Sequence, residues 1–270
     1  MRIASDGKRT VRYRVQGLDR VPDGGIIDFA FSGENDVAIL VATPPKGDEY
    51  VLTFDEDGKL KSTLQLDTAG WRSRHFAPLA DGGLLALGAE TSKTDPKRQS
   101  QAIWAFDASG SRSHRVVLSK DLLQPAAGAK ASEKAEFNQS LAFSALQQSS
   151  DGRIYIMHYG QRGLVHVLSP SLELLTTIKP KVPEPGYLEG LHEHAGRILL
   201  TLVKLEAPGS PEIAEVQLQE YGVDGKLSRS FFQRDPALGS AFACYDGQSF
   251  TFVGVGHDSR LRLVHALPSH

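Results

Sequence analysis

The chain has 270 residues, 40% of them apolar, which supports a buried core and excludes a disordered polymer. Lys and Arg number 30 against 32 Asp and Glu, so the formal charge is −2 and no basic excess marks a nucleic-acid binder. No apolar run approaches the ~20 residues that cross a bilayer, and the single cysteine, Cys244, excludes an intrachain disulfide.

Taken in chain order, the sequence is a succession of short apolar runs joined by Asp, Ser and Gly. Ile3 to Ser5, Asp6-Gly7 and Thr10 to Val15 open the chain as a hairpin. Ile26 to Phe31 and Val37 to Val41 flank a turn at Gly33 to Asp36. Tyr50 to Asp55 and Leu60 to Leu66 flank Asp57-Gly58. The same two kinds of hairpin then recur. Asp81-Gly82-Gly83, Asp151-Gly152, Ala195-Gly196 and Asp246-Gly247 mark one kind; Ser109-Gly110, Pro170-Ser171 and Asp224-Gly225 mark the other. Each repeat reads as strand, tight turn, strand, longer loop, strand, tight turn, strand, which is one blade of a propeller. The second strand of each repeat is the most continuously apolar, as a strand covered on both sides must be.

The count gives an all-β chain: a β-propeller of four-stranded antiparallel blades, five in number, or six if the natural chain extends upstream. The C-terminus supplies three strands, Ser240 to Cys244, Ser249 to Val255 and Leu261 to Leu267, and stops where a fourth is due. The N-terminal run Thr10 to Val15 is expected to pair there and close the ring. We expect one domain over residues 1–270. Ser119 to Asn138, rich in Ala, Lys and Glu, is expected to be an inserted, partly helical loop at about 119–137, with the helix near Ser132 to Phe137.

Ser149 to Ile156, Leu164 to Leu168 and Tyr50 to Leu66 resemble the blades of bacterial NHL-type and gluconolactonase-like propellers. The resemblance implies the fold. The lactonases of that group hold calcium with carboxylate and Asn ligands that cannot be matched residue by residue here, so calcium is only the runner-up cofactor and no cofactor is expected.

Candidate site residues follow from the topology. The connections between second and third strands, and those between blades, are longer than the Asp-Gly turns and share one side. They are Pro44 to Glu49, Thr91 to Ser100, Tyr159 to Gly163, Leu205 to Glu212 and Gly256 to Arg260. Long loops on a rigid scaffold are where binding concentrates. Polar residues at the starts of first strands join them at the channel mouth: Arg74 and His75, Asn138 and Gln139, Tyr187 and Glu189, and Asp235. The loops add His158, Tyr159, Arg162, His257, Asp258 and Arg260. Of these, Arg74, His75, Asn138, Tyr159, Tyr187, Glu189, His257 and Asp258 are the expected ligand-binding set, suited by their donors to an anionic or sugar-like ligand.

The run His192-Glu193-His194 looks like metal chemistry, but in a strand the two histidines share a side and Glu193 points away. Two histidines do not close a zinc site, so no metal is expected. Cys244 is expected to be a buried, inert thiol. Trp71 and Trp104 are both expected to be core or blade-packing residues rather than sugar platforms; Trp71, on a connection between blades, is the better sugar candidate of the two. There is no Gly-x-Ser-x-Gly elbow and no phosphate-binding Gly-rich loop.

The expected function is a non-catalytic binding or scaffolding propeller that holds a protein segment or a small ligand on its long-loop side, as a monomer, with no nucleic acid. The alternative is a hydrolase or lactonase with a site at the channel mouth, whose mark would be a His–carboxylate or two-carboxylate pair within hydrogen-bond reach. The first residues carry no apolar stretch, so a periplasmic or secreted location is expected only if a signal was removed, and a cytoplasmic one otherwise.

Overall fold

The computed structural model describes residues 2–3, 10–19, 21–32, 35–44, 47–91, 99–116, 145–149, 151–158, 163–234, 241–255 and 261–268. Among them there are 21 strands and no helix. A short hairpin pairs β1 (Arg2–Ile3) with β2 (Thr10–Val11). Five antiparallel sheets follow. The first runs β3 (Gly25–Ser32), β4 (Asp36–Thr43), β5 (Asp48–Phe54), β6 (Leu60–Leu66). The second runs β7 (Trp71–Pro78), β8 (Leu84–Thr91), β9 (Gln99–Phe106), β10 (Arg112–Arg115). The third runs β11 (Ala145–Gln148), β12 (Ile154–His158), β13 (Leu164–Leu168), β14 (Leu174–Ile178). The fourth runs β15 (Gly186–His194), β16 (Arg197–Leu205), β17 (Ile213–Tyr221), β18 (Leu227–Gln233), and the fifth β19 (Ala241–Tyr245), β20 (Phe250–Val255), β21 (Leu261–Ala266). This is the expected architecture, a five-bladed β-propeller. The chain divides into two compact units, Met1–Gln148 and Ser149–His270. The inserted loop at 119–137 lies outside the described residues.

The burial gradient across each sheet follows from sequence. In β4, Val37 to Val41 are all buried, because both sides of the strand are covered. β6 is mostly exposed, and its Lys61, Ser62, Thr63 and Gln65 are polar accordingly. In the first unit one core joins Leu40 and Val51 of the first sheet to Trp71, Phe76, Leu84 and Phe106 of the second. In the second unit Leu199, Val216 and Leu218 meet Tyr245, Phe250 and Phe252.

The turns are held by the residues that predicted them. Asp55 accepts hydrogen bonds at Oδ1 from the N–H groups of Asp57 and Lys59, at 3.0 and 2.9 Å, and Asp107 does the same for Ser109 and Ser111, at 2.8 and 3.1 Å. Gly58, Gly110 and Gly225 have φ of 82°, 82° and 77° in these turns. The third sheet departs from the rule, with Leu172 at φ 67° in the glycine position.

These turn glycines also dock onto the preceding outer strand. A Cβ on Gly110 would lie 1.9 Å from the Gln65 carbonyl oxygen of β6, and one on Gly225 would lie 3.2 Å from Thr176 Oγ1 of β14. A Cβ on Gly58 would lie 2.8 Å from the Arg12 carbonyl oxygen. The N-terminal segment therefore sits against the first sheet as an outer strand of a preceding blade would. Tyr13, Val15 and Leu18 pack on Val37, Ile39, Tyr50, Leu52 and Phe54.

The expected closing strand differs from its sequence reading. It is regular only over Thr10–Val11, and its partner is β1; the fifth sheet has three strands among the described residues. Past Val11 the backbone leaves strand geometry as Tyr13 and Val15 turn onto the first sheet.

Cys244 is exposed, against expectation. The register shifts by one residue between Phe242 and Cys244, which breaks the alternation that would have buried the thiol.

Candidate ligand-binding site

The first strand of four sheets carries such a shift. The extra residue is Ile27 in β3, Arg74 in β7, Glu189 in β15 and Ala243 in β19. A bulge re-aims a side chain and leaves it outside the pairing alternation. Two of the expected site residues, Arg74 and Glu189, occupy these positions. They lie within their strands rather than at the strand starts where the sequence reading put them.

In the first unit, β3 and β7 pack side by side, and the residues that follow the two bulges meet. His75 Nδ1 lies 3.4 Å from Asp28 Oδ2, and the same oxygen accepts the Phe76 N–H at 3.2 Å. Both side chains are about one quarter exposed, and Arg74 beside them is exposed. Sequence reasoning missed Asp28. The available signal was a lone carboxylate inside the apolar run Ile26-Ile27-Asp28-Phe29-Ala30.

The same unit holds an open, polar groove of about 620 Å³, lined chiefly by Asp48, Asp67, Thr68, Arg72, Ser109 and Ser111. Asp48 opens β5, residues 67–70 connect the first and second sheets, and Ser109 and Ser111 belong to the tight turn between β9 and β10, so short connections wall the groove. Arg112 braces that connection: its Nη2 donates to the Ala69 carbonyl at 2.9 Å and its Nε lies 3.5 Å from Asp67 Oδ2. Its guanidinium stacks over Trp104, 5.1 Å from the ring centroid. Arg72 Nη1 donates to the Trp71 carbonyl at 2.8 Å, and its guanidinium lies over Gly47, where a Cβ would approach Nη2 to 2.8 Å. Ser109 Oγ donates to Asp107 at 2.6 Å and lies 3.0 Å from Ser111 Oγ. Beneath, Glu49 is fully buried; burial pushes its carboxyl up, against the Ser73 N–H bonds and the Arg72 charge.

Trp71 is the core residue expected, although it opens β7 rather than lying on a connection. It is fully buried in the core, and its Nε1 donates to Ser73 Oγ at 3.0 Å. The long-loop reading also needs narrowing. Thr43 pairs with Asp48, so the Pro44 to Glu49 connection is tight, and Leu205 to Glu212 is compact, closed by the Glu206 N–H to the Glu212 carbonyl at 3.0 Å.

In the second unit, Tyr187 and Glu189 lie on β15, half-buried. Glu189 Oε2 is enclosed and has no hydrogen-bond partner among the described residues, and burial alone raises its carboxyl. His158 is not a loop residue: β12 extends to it, it pairs with Leu164, and it is buried. Its ring meets that of His166 edge-on at 5.0 Å. Burial, then the neighbouring His166, lowers His158 to about 3; burial, then Lys179, lowers His166 to about 4. Both imidazoles are neutral at pH 7. Asn138, Gln139, Tyr159, Arg162, Asp235, His257, Asp258 and Arg260 lie outside the described residues.

The His192-Glu193-His194 run is occupied locally. His192 Nε2 lies 3.2 Å from the Tyr245 carbonyl, the His194 ring packs near Tyr245, and Glu193 accepts the Gly196 N–H at 2.7 Å. Among the described residues no three His, Cys, Asp or Glu side chains form a metal-holding group.

Sheets and bulged first strands define the chain as a β-propeller. No family model matches it, and no curated protein does. Among solved structures it is similar to a protein of unknown function from Bacteroides caccae, at 14% identity and TM-score 0.42, covering 88% of this chain and 71% of that one. It is similar to YCF48 bound to D1 peptide, at 13% identity and TM-score 0.45, covering 93% and 66%. It is also similar to the GH74 xyloglucanase from Xanthomonas campestris, at 12% identity and TM-score 0.46, covering 90% and 37%. Likeness at these identities concerns the fold alone.

Proposed function

We propose that this propeller is a non-catalytic binding protein that holds a small, hydroxyl-rich ligand in the groove of its first unit. The observation that carries the reading is the lining of that groove. Carboxylates at Asp48 and Asp67 accept, the Arg72 guanidinium donates, Thr68 and Ser111 do both, and Ser109, whose proton goes to Asp107, accepts. Such a set matches a ligand whose every hydroxyl both donates and accepts. None of the described lining residues is aromatic, so affinity is modest and set by hydrogen bonds to charged groups, about 1.5–3 kcal/mol each.

NMR titration of the full chain with mono- and disaccharides tests this. Amides of residues 65–72 and 109–111 shift on binding, and Asp48→Ala or Arg72→Ala weakens the affinity about tenfold. Shifts elsewhere, or unchanged affinity in both variants, overturn it.

The Asp28–His75 pair supports a second reading, a hydrolase. Asp28 orients the imidazole from Nδ1 and leaves Nε2 to act as a general base. This reading requires ester or lactone hydrolysis that His75→Ala abolishes; an inactive wild-type chain retires it. Calcium, the gluconolactonase-like cofactor, belongs to this reading and is checked by the effect of a chelator on the melt.

A further inference from the structure

The outer strands β6 and β18 are built alike and finished differently. Each has seven residues and is the last strand of its sheet. Each bulges at its second residue, Lys61 or Ser228, and runs regularly from there to its end. The side chains that β6 exposes, Lys61, Ser62, Thr63 and Gln65, are polar, as suits an edge that avoids pairing. β18 exposes Leu227 at 52% and Phe232 at 57%, and the phenyl ring lies within the regular run Arg229 to Gln233. The two edges also differ in cover. β6 and β14 are each met by the turn between third and fourth strands of the next sheet, at Gly110 and Gly225. The fifth sheet has three strands among the described residues, so it presents no such turn to β18.

Every second residue of an edge strand turns its N–H and C=O away from the sheet, and β18 pairs with β17 alone among the described residues. The charge along this edge has one sign. Leu227 to Gln233 contains no carboxylate, and the Arg229 and Arg234 side chains are 54% and 74% exposed. The acids that hold these arginines sit behind the edge and are outnumbered. Glu220, 1% exposed, serves both Arg197 and Arg229, and Glu215, 8% exposed, serves Arg234 and has Lys204 opposite it in the register. An excess cation therefore stands on either side of Phe232. That excess opposes a second copy as the occupant. Two β18 edges paired antiparallel about Phe231 and Phe232 would set Arg229 of one copy opposite Arg234 of the other, and like charges directly opposite are destabilising.

We propose that β18 is a docking edge for a partner protein, whose extended acidic segment adds to the fourth sheet as a further strand. The β18 backbone supplies the ladder bonds, Phe232 gives an apolar side chain of the segment a surface to cover, and Arg229 and Arg234 each take a carboxylate. Along the strand Arg229 and Phe231 share one face, and Phe232 and Arg234 share the other. The segment therefore carries one acid on each face, at the two ends of the stretch opposite Arg229 to Arg234, with apolar or hydroxyl side chains between. The edge belongs to the second unit and stands whether or not the groove of the first unit binds saccharide.

The test is an NMR titration of the full chain with the blocked peptide acetyl-Glu-Thr-Val-Val-Thr-Glu-amide. Its side chains read the same in both directions, so it meets Arg229 and Arg234 with an acid whether it docks parallel or antiparallel. It is expected to shift the amides of residues 229–234 and to protect alternate ones from exchange with solvent. Replacing both glutamates of the peptide by lysine weakens binding about tenfold, because two ion pairs give way to two like-charge contacts. N-methylation of both valines, which blocks strand pairing and leaves every charge in place, abolishes binding. Arg234→Gln weakens the acidic peptide severalfold while the thermal melt stays within a few degrees; if that variant unfolds, the three peptides decide. No shift at millimolar peptide, shifts centred elsewhere, equal binding of the acidic and lysine peptides, or undiminished binding of the N-methylated peptide each overturn the proposal. So do undiminished binding in a folded Arg234→Gln and a dimer of the free chain that protects the same amides.

Discussion

The third and fourth sheets bury titratable side chains by opposite means. In the third, His158 and His166 lie edge to edge in the interior and are kept neutral, and Thr177 Oγ1 lies 3.0 Å from His166 Nδ1. In the fourth, Glu220 is 1% exposed yet charged. Burial works to raise its carboxyl, and the bonds from Arg229 and Ser228 with the charges of Arg229 and Arg197 outweigh it and hold it low. The two arginines reach it from β16 and β18 with their outer halves in water, so the pair avoids most of the desolvation that makes fully interior ion pairs costly. One sheet solves burial by losing charge, the other by sharing it with solvent.

Acid should separate the two most sharply. The unfolded imidazoles titrate near 6.5, while the folded ones are lowered to about 3 and about 4. The unfolded chain therefore binds more protons below pH 6.5, and the stability contributed by the neutral pair is lost as pH falls from there through 4 and toward 3. Denaturation at pH 7 and pH 4.5 should differ by on the order of 2 kcal/mol per histidine. The double variant His158→Leu, His166→Leu should lose most of that dependence, and an unchanged dependence would refute the assignment.

A smaller effect belongs to the fourth sheet. Glu220→Gln removes the charge that gathers Arg197, Arg229 and Ser228, and is expected to lower stability by about 2 kcal/mol, reduced for the arginines' exposure. The loss should shrink at high salt. A salt-independent loss would point to packing instead.

The smallest effect compares the tight turns of the same two sheets. Gly225 fills the positive-φ position in the fourth, and Leu172 fills it in the third at φ 67°. Leu172→Gly should therefore stabilise by about 1 kcal/mol, whereas Gly225→Ala should destabilise, because strain is joined by contact with Thr176. Chemical denaturation of both variants gives the signs; a Leu172→Gly variant no more stable than wild type would show that the leucine side chain outweighs the strain.

What the sequence discloses and what it hides divide along the same physical line. Turns are local. An aspartate that accepts N–H groups two and four residues on, followed by a glycine at positive φ, is visible in five residues, and the repeat count followed from it. Bulges and cross-strand partners are not local. Nothing near Ala243 in the chain announces the register shift that exposes Cys244, and Glu220 meets Arg197 across 23 positions. Arg74, His75, Tyr187 and Glu189 could be singled out because they are polar residues assigned to the starts of first strands. Asp28 interrupts an apolar first strand, and is paired with His75 only by the packing of β3 on β7. The burial of Trp71 was legible but its placement on a connection was not, for a related reason: the connection before it is short, so β7 already begins at the tryptophan.

The docking of Gly58, Gly110 and Gly225 bears on the order of assembly. Each glycine turn is a key whose socket is a stretch of chain that precedes it: Val11 and Arg12 for Gly58, Gln65 for Gly110, Thr176 for Gly225. During synthesis the N-terminal side emerges first, so every socket leaves the ribosome before the turn that fills it. Each of these three turns thus meets a template already synthesised upstream.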